Sequence, residues 1–95
     1  MARGYWVIQN DITNLAVYAV YRKAIEEFVA AKHAKFIVRA GRKKDVEGAP
    51  RSRHIVIEFH DYEQAVAAYE SPEYRKIVAL RAAALKGDMA IVEGV

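Results

Sequence analysis

The chain has 95 residues, 54% of them hydrophobic and 28% charged, with a net charge of +3 and no cysteine. Ninety-five residues make one small domain with a modest core, and the composition is that of an ordered globular chain. It excludes disulfides, thiolate chemistry and cysteine-bound metal, and the mild positive charge permits anionic partners without calling for nucleic acid.

The first apolar run, Tyr5–Trp6–Val7–Ile8, is short and rich in aromatic and β-branched residues, so it reads as a strand. "DITN" follows and offers Thr13 or Asn14 as a helix N-cap. From Leu15 the apolar period becomes helical. Leu15, Tyr18, Tyr21, Ile25, Phe28 and Val29 share a face, and Arg22, Lys23, Glu26 and Glu27 point away, in a helix that ends near Lys32 or His33. "KFIVRAG" is the second strand, "RKKDVEGAPRS" a polar loop with Gly48 and Pro50, and "RHIVIEFH" the third strand. Asp61 caps a short helix, with Gln64 three residues on completing a capping box. Ser71–Pro72 supplies a second cap, since proline suits the first helical position. The chain therefore breaks and restarts there. Gly87 reads as the stop of this last helix and "DMAIVEGV" as the final strand. The order β-α-β-β-α-β predicts an α+β, ferredoxin-like subunit over residues 1–95: an antiparallel sheet with helices on one face.

Strand parity sets two faces. Tyr5, Val7 and Gln9 lie on one side of the first strand and Trp6, Ile8 and Asn10 on the other; Ile55, Ile57 and Phe59 oppose His54, Val56 and Glu58. On strand two, Phe36, Val38 and Ala40 oppose Lys35, Ile37 and Arg39. One side is wholly apolar and should meet the helices. The other mixes apolar residues with Arg39, His54 and Glu58, and left open it would be an apolar patch. Two such sheets packed across a two-fold axis remove the patch, so a homodimer is expected.

Arg81 is an anomaly on the last helix. Ile77, Val78, Leu80, Ala84 and Leu85 form its apolar stripe, and Arg81 falls inside it, near Tyr74. A buried guanidinium needs an anion. Glu58 or Glu93 would supply one internally; a ligand carboxylate or phosphate is the other source. Arg39 and Glu58 are expected on the same face of hairpin neighbours, as a cross-strand ion pair or as the polar floor of a cleft. Tyr18, Tyr21, Tyr69 and Tyr74 should point inward, with one or two lining that cleft. Ser71 is read as an N-cap whose helix terminus could also face an anion. His33, His54 and His60 lack a metal-ligand spacing, and the basic loop, with Arg51 and Arg53, reads as solvated.

Six segments, "GYWVIQNDIT", "FIVRAG", "VIEF", "YESPEY", "LR" and the closing "IVEGV", resemble in order and spacing the bacterial family grouped as domain of unknown function 1330. The resemblance covers essentially the whole chain. It implies membership of the dimeric α/β-barrel superfamily, in which two ferredoxin-like sheets pair and a cleft lies between sheet and helices. That superfamily includes small monooxygenases, haem-degrading enzymes, isomerase-like proteins and ligand sensors, and fold kinship alone selects none of these activities. Where the family leads one to expect a Gly-Gly pair after strand two, this chain has Ala40–Gly41, which argues against a strict need for a flexible backbone at position 40.

The expectation is thus a cytoplasmic homodimer without cofactor or metal. It would bind neither nucleic acid nor membrane, and would hold a small anionic and apolar molecule in a cleft near Arg39, Glu58, Ser71, Tyr74, Arg81 and Tyr18. Cofactor-independent catalysis is an extension of that reading. A non-catalytic structural or regulatory dimerisation module and a small monooxygenase-like enzyme are the alternatives.

Overall fold

The computed structural model describes residues 2–95. Strand β1 (Gly4–Ile12) leads into helix α1 (Leu15–Ala31), then β2 (Lys35–Arg39) and β3 (Arg53–Phe59). Helices α2 (Tyr62–Glu70) and α3 (Pro72–Ala84) precede β4 (Leu85–Glu93). The four strands form one antiparallel sheet in the order β2-β3-β1-β4, which is the ferredoxin-like arrangement. No helix among the described residues is long and apolar enough to cross a membrane.

The caps form where short polar side chains meet helical periods. Asn14 accepts from the Val17 N–H, Asp61 from Gln64, and Ser71 from Tyr74, while Pro72 opens α3. His33 adopts a left-handed φ of 57° after α1 and turns the chain into β2.

Trp6 organises the core. It is 1% exposed, and its indole N–H donates to the Ala65 carbonyl at 2.9 Å. Its rings lie within 6.0 Å of the Phe28, Phe59, Tyr69 and Tyr74 rings, so β1, α1, β3, α2 and α3 all meet there. Ile8, Ile55, Ile57 and Phe59 extend this layer across the sheet, and Ile25, Val29 and Ile77 close it from the helices.

The structure changes three expectations. First, Gly87 is not a helix stop. α3 ends at Ala84 and β4 starts at once, pairing Leu85 with Ile12 and Gly87 with Asn10. A Cβ at position 87 would lie 2.4 Å from the Gln9 carbonyl oxygen, so glycine is there for close strand approach. Second, β2 carries a bulge at Ile37: Phe36 pairs with Ile57, but Val38 pairs with Val56. The extra residue reverses the parity beyond it, placing Val38 on the outer face and Arg39, opposite Ile55, on the helix face. Third, Ala40 has a φ of 51°, so this position does need the left-handed region, and alanine occupies it at a cost of about 1–2 kcal/mol.

The β2–β3 loop is fastened at its far end. Arg51 donates to Asp11 at 3.0 Å and Asp88 at 2.8 Å, and its backbone N–H donates to Gln9. Ser52 donates to Asp11 from both its N–H and its hydroxyl. These Ser52 bonds, with Arg51 beside them, hold the Asp11 carboxyl at about 2. A lowered carboxyl pKa stabilises the fold above the unfolded value near 4, and that contribution fades as pH falls from about 4 to about 2. Asp11→Asn should therefore lower the urea midpoint at pH 7 and make almost no difference near pH 2. An equal loss at both pH values would mean that the charge at Asp11 contributes nothing.

Candidate functional site

A cleft opens between α1 and the β2–β3 side of the sheet. Its floor is Ile8, Ile55 and Ile57, and Tyr18, Tyr21, Ile25 and Phe36 wall it. The cavity volume is about 30 Å³, room for roughly two waters. Its polar groups come from Asn10, Arg22, Arg39, Arg53 and the Tyr18 hydroxyl.

Each arginine is held differently. Arg39 donates to Glu26 at 2.6 Å and lies over the Phe36 ring, 4.2 Å from its centroid. Arg22 reaches the same carboxylate at 3.8 Å from a well-exposed position. Arg53 is half-buried and donates to two neutral acceptors, the Asn10 side-chain carbonyl at 3.1 Å and the Tyr18 hydroxyl at 2.7 Å. Its guanidinium also lies over the Tyr18 ring, 4.9 Å from the centroid. No carboxylate among the described residues forms a salt bridge with it. Asn10, 3% exposed, is the buried polar residue of the core layer, and its oxygen fixes Arg53.

Of the residues expected at the site, Tyr18 and Arg39 meet in this cleft. The Arg39–Glu58 pair does not form, because the Ile37 bulge turns Arg39 to the helix face. Glu58 stays on the outer face, where it accepts from the Tyr5 hydroxyl at 3.1 Å and pairs with Lys35 at 3.5 Å. Ser71 acts as an N-cap, its hydroxyl also donating to the Ala68 carbonyl at 2.7 Å. Tyr74 is 1% exposed, wedged against Trp6, Phe28 and Tyr69, and burial pushes its hydroxyl up to about 12.

Arg81 meets neither Glu58 nor Glu93. α3 ends beside the start of α1, where the Ala84 carbonyl accepts from Thr13 and Asn14. That is the Ile12 end of β1, whereas Glu58 and Glu93 pair with Tyr5 and Gly4 at the other. Arg81 sits instead beside Tyr21, behind the cleft wall, with one buried guanidinium nitrogen lacking a hydrogen-bond partner. Burial raises the Tyr21 pKa, and Arg81 pulls it partly back.

Sequence reasoning passed over Arg53 and Asn10. The signal was present in strand parity. Arg53 shares its side with Ile55, Ile57 and Phe59, and Asn10 shares its side with Trp6 and Ile8. No three His, Asp or Glu side chains among the described residues stand close enough to share a metal.

The fold is similar to that of RPA0582 from Rhodopseudomonas palustris, a protein of unknown function solved as a structural genomics target. The TM-score is 0.77 at 13% identity, covering 99% of this chain and 83% of that one. Methylated RPA0582 superposes equally well, with a TM-score of 0.76, 13% identity and coverage of 99% and 82%. Comparison with curated proteins finds no match. The model of one family, described as a domain of unknown function (DUF1330), matches residues 3–95, and the chain belongs to that family.

Proposed function

We propose that this protein binds a small molecule with an anionic group and an apolar body in the cleft between α1 and the sheet, and that it works as a homodimer. The observation that carries the binding reading is the cleft's composition: an apolar floor and walls, and three guanidinium groups against the single carboxylate of Glu26. A cation excess in a half-buried cleft favours an anion, because the low surrounding dielectric strengthens their attraction.

The outer sheet face supports the dimer. Val38, Val56, Val7 and Ala90 are consecutive cross-strand neighbours, so one apolar side chain from each strand stands in single file across the sheet. Val7 is 39% exposed, Val38 43%, and Val92 in the next row 40%. A second copy, laid face to face, would cover this file.

The binding reading is tested by titrating isotope-labelled protein with small organic anions and their uncharged analogues, read by amide NMR. Saturable shifts confined to Tyr18, Tyr21, Arg53 and Ile55 are expected with anions. Absence of saturable shifts at those residues with every anion at millimolar concentration would refute it.

A further inference from the structure

Within the binding reading just given, on which this inference rests, we propose that the cleft is a monocarboxylate site. Arg53 is its anchor, and the Tyr18 hydroxyl is a second donor to the same anion.

The charge inventory leads to a single negative charge. The Glu26 carboxylate lies 2.6 Å from Arg39 and also faces Arg22, which is largely in solvent. Of the three arginines that line the cleft, Arg53 is the one left without a carboxylate. A phosphate dianion would bring two charges to a place with one to meet them.

Geometry leads to the same class. A guanidinium has five N–H donors. Arg53 spends one on Asn10 and one on Tyr18, leaving donors for an incoming oxygen. Tyr18 uses its hydroxyl oxygen to accept from Arg53, so its own proton is free to be given away. An arginine fork beside a hydroxyl donor suits the two oxygens of a planar carboxylate. The buried Asn10 carbonyl holds the fork in place before a ligand arrives, so little order is lost on binding. The apolar floor of Ile8, Ile55 and Ile57 suits an apolar body, and an enclosed volume of about 30 Å³ admits only the first carbons of it, so a short chain is enough.

The test uses the full chain and three probes that share a body and differ in head: butyrate, butyramide and n-butyl phosphate. Affinities come from NMR shifts at Tyr18, Arg53 and Ile55 in the unmodified protein and in Arg53→Gln, Arg53→Lys and Tyr18→Phe. Butyrate should bind at least tenfold more tightly than butyramide and more tightly than the phosphate. Arg53→Gln should weaken butyrate by about 10- to 100-fold, the range for a hydrogen bond to a charged group. Arg53→Lys should fall between, since it keeps charge and loses the fork, and it covers the case in which the glutamine variant does not fold. Tyr18→Phe should cost about three- to tenfold. Undiminished butyrate affinity in both Arg53 variants, or tighter binding of the phosphate, overturns this assignment while leaving the anion cleft standing. Cleft residues that respond to no anion at all would remove both.

Discussion

Trp6→Ala should cost about 3–5 kcal/mol, the range for truncating a large aromatic in a packed core. A domain of this size has about 5–14 kcal/mol in total, so the variant should be largely unfolded at modest denaturant. The expectation follows from what meets at Trp6: four aromatic rings from four elements and the Ala65 carbonyl. Alanine would leave a cavity among Phe28, Phe59, Tyr69 and Tyr74 that none of them can fill without breaking its own packing. Trp6→Phe separates the two contributions. It keeps a ring and loses the indole N–H bond to the Ala65 carbonyl, which still accepts within α2, so it should cost about 0.5–1.5 kcal/mol for the bond. Urea unfolding followed by far-ultraviolet circular dichroism gives both values. A Trp6→Ala loss under about 1 kcal/mol would mean that the core does not converge there.

Val7→Asp should turn a dimer into a folded single subunit. Val7 stands mid-file on the outer face, between Val56 and Ala90, and makes no contribution to the buried layer beneath. An aspartate there would face its own counterpart or apolar surface across the proposed two-fold interface, and burying it unpaired is costly. Light scattering should give twice 10.7 kDa for the unmodified chain and 10.7 kDa for the variant, with circular dichroism unchanged. Leu15→Asp is the control. Leu15 is 76% exposed on α1, away from the sheet face, and should leave the mass as it is. A 10.7 kDa particle from the unmodified protein at tens of micromolar would remove the dimer.

The parts of the fold set by local chemistry were legible in the sequence. Alternation along β3 gave the right face for Ile55, Ile57 and Phe59 because the strand is uninterrupted, whereas on β1 it grouped Trp6 with Ile8 without saying which side meets the helices. Asp61 and the Ser71–Pro72 step were legible because a cap acts within four residues. What escaped depends on pairing with distant strands. The Ile37 bulge has no signature in "KFIVRAG", since it arises from how β2 meets β3. Gly87 looked like a helix stop because the length of β1, which draws Leu85 to Gly87 into the sheet, is not written in the segment around Gly87 itself. Arg81 was rightly singled out as unusual, but its expected carboxylates lie at the wrong end of β1. Arg53 was misjudged for a different reason: its nearness to the basic loop outweighed its parity with three buried residues.

The one-residue irregularity in β2 has a consequence for how such a protein can diversify. Removing Ile37 would leave Phe36, Val38 and Arg39 to alternate regularly, with Val38 still opposite Val56 and Arg39 still opposite Ile55 on the helix face. A strand that kept Ile37 and paired it with Val56 would instead carry position 39 to the opposite surface. The strand can therefore lose a codon at this spot and keep its charge at the mouth of the hollow, while the aromatic heart of the molecule never registers the edit.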